Sequence, residues 1–188
     1  DRTINFGQHA NAGTIINSGT ISGRANTLYI YSSGTDYSAG TITNSGTISA
    51  TGGDGIEINN VNDVTITNTG TISATGDAIF NIGNNGSNGN IIVNKGTISS
   101  GSSNHDLEVT TNVGLESLTN DQGGNDALKL DGYLPVNYVF LANSTTDYGK
   151  LAVDNQNGAT TFSISTDSSL SAGTYSSIIT GVSSSRFT

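Results

Sequence analysis

Asn26, Asp54, Asp77, His105 and Asp126 each stand two residues before an apolar position, and they are the side chains best suited to chemistry. Gathered on one sheet edge, such carboxylates could act as general acid and base on a polysaccharide, as in many glycosidases and uronate lyases. Two of them on adjacent strands could instead share a calcium ion. The residue types favour a plainer role, because Asp and Asn before a strand cap turns through their side-chain oxygens. A uronate lyase also needs a cationic group at its cleft, and Arg24 is isolated. Gly123-Gly-Asn-Asp126 matches the calcium-binding nonapeptide pattern once only, without its middle glycine. His9 and His105 are far apart in sequence and lack supporting ligands for zinc. The expectation is turn capping, with no catalytic residue, no metal site and no cofactor.

A second set is hydroxylic. Thr20/Ser22, Thr47/Ser49, Thr71/Ser73 and Thr97/Ser99 each flank an isoleucine at alternate positions, which on a strand turns both hydroxyls to one face. Stacked, they would form two rows able to bind carbohydrate, or ice as the Thr-x-Thr arrays of some antifreeze β-helices do. They would equally serve as the polar outer side of strands that must not aggregate. These residues form the candidate interaction face. Glu57, Glu108 and Lys129, with Tyr29, occupy the outward position between paired apolar residues. A solvated face is expected there, with Glu108 paired to Lys129 on the adjacent rung.

What must position these residues is a repeat. Asn-x-Gly-Thr-Ile-Ser occurs at 17–22, 44–49, 68–73 and 94–99, at spacings of 27, 24 and 26 residues. The motif stays fixed while the spacing drifts, as loops would. Ile15, Ile42, Ile66 and Ile92 precede the motif by two residues, and Ile21, Ile48, Ile72 and Ile98 lie inside it. A third apolar pair follows in each unit: Leu28/Ile30, Ile56/Ile58, Ile79/Ile82 and Leu107/Val109, with Leu128/Leu130 as a fifth. Short period-two segments rich in β-branched residues and bounded by Gly, Asn and Asp read as strands, three to a unit.

Three short strands cannot bury their apolar side chains within one turn of chain. Coiling solves this, with equivalent strands stacked about 4.8 Å apart into parallel sheets around a shared interior. Asn17, Asn44, Asn68 and Asn94 would then form a corner ladder, where Asn tolerates left-handed backbone and its amide reaches the next rung. Gly19, Gly46, Gly70 and Gly96 would allow positive φ or close backbone approach. The pattern decays after residue 109, with Asn112-Val113-Gly114 as a degraded copy of the motif. Residues 132–147 hold the single proline, Pro135, and read as a crossing or capping segment. From Tyr148 the alternation reads as antiparallel, an end cap over the last rung.

Composition excludes several classes. The 188 residues carry a net charge of −9 with no basic run, which argues against a nucleic-acid partner. No apolar stretch reaches the roughly 20 residues of a spanning helix, so membrane insertion of this segment is not expected. The absence of cysteine removes disulfides and thiolate sites. The chain opens Asp1-Arg2-Thr3 instead of a charged n-region and apolar core, so any secretion signal is expected to have been removed or to lie outside these residues.

Asn-Ser-Gly-Thr-Ile-Ser-Ala at 44–50, Asn-Thr-Gly-Thr-Ile-Ser-Ala-Thr-Gly-Asp-Ala-Ile at 68–79 and the tail Gly173–Val182 resemble passenger domains of bacterial autotransporters, the type V secretion proteins. The resemblance implies a right-handed parallel β-helix exported to the bacterial cell surface, with a role in adhesion, aggregation or biofilm. It also implies an autochaperone-type cap in the tail, although nothing in these residues matches a translocator barrel. The expected architecture is all-β: a three-sided solenoid of about five rungs over residues 1–131, then a capping segment over 132–188. The expected function is non-enzymatic and adhesive, toward host or matrix carbohydrate or protein, or toward further copies of the chain. A filament subunit stacking head to tail is the alternative, since Ile4 and Phe6 look like half a rung at an open edge.

Overall fold

The structure, a computed structural model, describes residues 3–6, 13–32, 40–84, 88–122 and 126–188. Asp1, Arg2, His9 and the Gly123–Asn125 stretch lie outside the described residues. Nearly all ordered segments are strands, and all the sheets are parallel. Among the described residues sheet 1 has eight strands, from Ile4–Phe6 to Ile179–Thr180. Sheet 2 has seven, from Thr14–Asn17 to Thr161–Ile164, and sheet 3 has four, from Thr20–Gly23 to Thr97–Ser99. The chain is a parallel β-helix of about six turns, one more than the repeat count predicts.

The interior is built from the expected columns. Ile42, Ile66 and Ile92 stack in sheet 2, Ile48, Ile72 and Ile98 in sheet 3, and Leu28, Ile56, Ile79 and Leu107 in sheet 1. None of these ten is more than 1% exposed. Each contributes about 1.5–3 kcal/mol relative to exposure, gained only because another rung lies above or below.

The asparagine column is a continuous amide ladder. Asn17 Nδ2 donates to Asn44 Oδ1 (2.8 Å), Asn44 to Asn68 (2.8 Å), Asn68 to Asn94 (2.9 Å) and Asn94 to Asn120 (3.2 Å). The same amides donate across the corner to main-chain carbonyls of the next rung, Asn44 to Thr71 O and Asn68 to Thr97 O. None of the ladder residues has positive φ, so the left-handed backbone expected there is not used. Three of the glycines two residues on, those with a rung below them, are required by close approach, while Gly19 has open space around it. A Cβ on Gly46, Gly70 or Gly96 would lie 2.0–2.3 Å from the glycine carbonyl oxygen one rung below.

The C-terminal third departs from expectation. The ladder continues to Asn120, 26 residues beyond Asn94, so the fifth corner is Leu118-Thr119-Asn120 and not Asn112-Val113-Gly114. Val113 projects outward, 46% exposed. Residues 137–140 then pair in parallel with 117–120, placing Tyr138 in the isoleucine column and Phe140 in the asparagine column. The antiparallel arrangement expected after Tyr148 does not occur. Leu151–Asn157 pairs in parallel with Leu128–Tyr133, Thr161–Ile164 with Asn137–Phe140, and Ile179–Thr180 with Leu151–Ala152. Period-two alternation is the same for parallel and antiparallel strands, so it could not distinguish them. Strand Leu128–Tyr133 itself crosses the expected boundary at residue 131.

Asn68 tests the ladder because it is fully buried and linked on both sides. Asn68→Ala strands an Asn44 N–H and the Thr97 carbonyl, at roughly 1–3 kcal/mol for each group left unpaired. Asn68→Asp should be worse near neutral pH, because it buries a carboxylate against the Asn94 and Thr97 oxygens. Burial raises that carboxyl's pKa, so its penalty shrinks as pH falls through the folded-state value. Urea unfolding of both variants at neutral and acidic pH checks the order and the pH signature.

Candidate functional site

Sheet 3 aligns the hydroxyl rows residue for residue. Thr20, Thr47, Thr71 and Thr97 form one column and Ser22, Ser49, Ser73 and Ser99 the other. Thr20, Ser22 and Thr97 are exposed and the other five half-buried, while the isoleucines between them point inward. The strand period puts the hydroxyls outside, and parallel in-register pairing turns separate pairs into rows.

The rows end at a cleft. Among the described residues sheet 3 has no strand after Thr97–Ser99, and the side chain of Gln122 meets its edge. Its Oε1 accepts from Ile98 N (2.7 Å) and its Nε2 donates to Ile98 O (2.9 Å), satisfying the main-chain edge where another rung would pair. Beside it lie two adjoining depressions of about 370 and 620 Å3, both bordered by Thr97, Gln122 and Asp126. Lys95 and Asp121 line the smaller, while Ser99, Asp106 and Lys129 line the larger. Hydroxyls, carboxylates and two ammonium groups thus converge where the hydroxyl rows stop. Gln122 was not among the expected site residues. Its signal is legible in hindsight: the residue two after Asn17, Asn44, Asn68 and Asn94 is glycine, but after Asn120 it is glutamine.

The carboxylate column is a second structural ladder. Asn26 Oδ1 accepts from Asp54 N (3.1 Å), Asp54 Oδ1 from Asp77 N (3.0 Å), and Asp77 Oδ1 from His105 N (2.8 Å). Asp126 is not a member. The register slips by two residues, so Leu107 lies opposite Leu130 instead of Leu128. Asp106 supplies the next link, accepting from Lys129 N through Oδ2 and from the Ser100 main-chain and hydroxyl groups through Oδ1.

The same slip removes the expected Glu108–Lys129 pair, because Glu108 faces Asp131, which faces Asp154. Glu57 does not belong to a solvated face either: it is 7% exposed and accepts from the Asn26 amide. The outer side of sheet 1 is therefore acidic over its later rungs, with His105 Nε2 3.4 Å from Asp154 Oδ2. Burial, reinforced by Asp77, Asp131 and Asp54, raises the Glu108 carboxyl above its ordinary range. Asp54 is raised by burial and by Asp77 and Glu57, Asp106 by burial despite its hydrogen bonds, and Asp121 by burial and Asp147.

Comparison of the chain with protein-family models, with curated proteins and with solved structures gives no match.

The raised carboxyls fix the sign of a pH effect. A group whose folded pKa exceeds its unfolded value binds more protons when folded, so stability falls as pH rises between the two values. Asp54, Asp106, Glu108 and Asp121 all act in this direction. The fully exposed Asp167, lowered by Lys95, acts in the opposite one. Acidification from neutrality toward the ordinary carboxylate range should raise the melting temperature. Glu108→Gln should raise it at neutral pH and flatten the dependence. Thermal melts followed by circular dichroism across that range check both.

Proposed function

We propose that this chain is a non-enzymatic structural and adhesive module of a bacterial extracellular surface, and that sheet 3 with its terminal cleft contacts polymeric carbohydrate. The observation that carries this reading is the in-register double row of hydroxyls running into a cleft bordered by Asp126, Lys95 and Lys129. A glycan is itself a row of hydroxyls at regular intervals, and serine and threonine hydroxyls both donate and accept. Asp54 and Asp77, two carboxylates that a polysaccharide-cleaving column would need free, accept main-chain N–H groups of the next rung instead. The sequence resemblance to autotransporter passengers supports the extracellular setting.

Homotypic association is the second reading, favoured by the C-terminal end of the solenoid. Phe162, Ile164, Leu170 and Phe187 are 38–54% exposed there, a density of apolar surface that marks contact sites. In-register head-to-tail stacking would set Ile164 of one copy against the Asn17 amide of the next, since Phe140 and Ile164 continue the asparagine column. That amide is held inside its own chain by Asn44 Oδ1, the Thr47 carbonyl and the Gly19 N–H, so it offers Ile164 a polar surface and no apolar counterpart. Two C-terminal ends facing each other match apolar surface with apolar surface and close as a two-fold dimer.

Co-sedimentation with insoluble neutral polysaccharides and with bacterial cells tests the first reading. Binding should be saturable and abolished by Thr47→Glu combined with Thr71→Glu, while Glu108→Gln leaves it intact. A wild-type protein that stays in the supernatant throughout would sink the proposal. For the second reading, sedimentation velocity should show a dimer that Ile164→Asp converts to monomer.

A further inference from the structure

Over its first four strands the outer face of sheet 2 has a different chemistry from the other two sheets. Its strands Thr14–Asn17, Thr41–Asn44, Thr65–Asn68 and Asn90–Asn94 pair in parallel with Thr43, Thr67 and Val93 in one outward column and Thr41, Thr65 and Ile91 in the other. Thr14 and Ile16 continue these columns, and Ile16 is 76% exposed. Every outward position on these strands is therefore Thr, Ile or Val, with no charged and no aromatic side chain among them.

We infer that this face, centred on Thr41, Thr43, Thr65 and Thr67, binds ice. Three physical features point there. First, the array is two-dimensional, with rungs repeating about every 4.8 Å and alternate residues along each strand about every 6.6 Å. Second, it is stiff. A β-branched side chain is restricted at χ1, so both its methyl group and any hydroxyl are held at fixed positions before contact. A crystal surface cannot adapt to its ligand, so the rigidity must come from the protein. Third, every position carries a methyl group, and the threonines add a hydroxyl. Methyl groups order the adjoining water, and hydroxyls tie that ordered water to the protein.

The lack of charge selects among partners. The chain carries a net charge of −9, yet this face contributes none of it, which suits an uncharged lattice better than an ionic one. Polymeric carbohydrate is better served by sheet 3, where every outward position between the corners is a hydroxyl, than by columns that end in Ile16, Ile91 and Val93. A protein partner would need larger buried anchors than threonine supplies. Sheet 3 fits ice less well, because one of its two columns is serine, whose hydroxyl is not held by β-branching. The site therefore differs from the hydroxyl rows singled out in the sequence, and it does not depend on the carbohydrate reading of sheet 3.

Ice-affinity partition and thermal-hysteresis measurements on the full chain test the inference. The wild-type protein should enter growing ice and separate the melting from the freezing point. Thr43→Lys with Thr67→Lys should abolish both effects with the circular dichroism spectrum retained, whereas Thr47→Lys on sheet 3 should leave them unchanged. Thr43→Ser with Thr67→Ser, which keeps the hydroxyls and removes methyl and stiffness, should weaken both and covers the case of a misfolded lysine variant. Absence of hysteresis and of partition in the wild type overturns the proposal. Loss on Thr47→Lys instead, or binding to cellulose or chitin through Thr43 without ice activity, overturns the assignment to sheet 2.

Discussion

No turn of this chain can satisfy its own backbone. Each strand finds hydrogen-bond partners only in the rungs before and after it, so the structure rests on the vertical repeat between rungs. The Asn17–Asn120 ladder is where that requirement is most exacting. A buried primary amide costs stability unless each of its groups is paired. Pairing at every level fixes both the height of each rung and its rotation relative to the next. The glycine two residues later is forced by the same constraint, because the corner brings carbonyl and Cα too close to admit a side chain.

Fixing the registers has a functional consequence, because it converts scattered residues into surfaces. Sheet 3 becomes two rows of hydroxyls, the first four strands of sheet 2 a neutral field of β-branched side chains, and the later rungs of sheet 1 an acidic strip. Each surface repeats at the rung spacing, and extended repeating surfaces suit extended repeating partners. The interior has a different task. Its carboxylates and amides along the corners serve the main chain, which leaves the chemistry of contact to the outer faces and the ends.

Where the ladder stops, the structure changes character. Phe140 and Ile164 take over the asparagine column, Tyr138 and Phe162 the isoleucine column, and the rungs continue on aromatic packing. Gln122 closes sheet 3 at the same level, exchanging both main-chain hydrogen bonds of Ile98 for those of its own amide. The cleft lies at that level, where sheets 1 and 2 continue and the described residues hold no further strand of sheet 3.

The sequence alone determined the β-helix, its inward columns, the asparagine ladder and the alignment of the Thr/Ser rows. Each follows from local period-two patterning and the recurrence of one motif, and neither needs tertiary information. The later rungs were hidden because recurrence of type gave way to recurrence of position: Leu118-Thr119-Asn120 lacks the glycine that marked earlier corners. Strand direction after Tyr148 was hidden because alternation carries no polarity. The two-residue slip at Leu107 and Leu130, which set Glu108 against Asp131 and removed Asp126 from its column, was decided by packing between rungs. So were the sheet-2 face and the cleft, because neighbours across rungs are set by stacking and lie more than twenty residues apart in the chain.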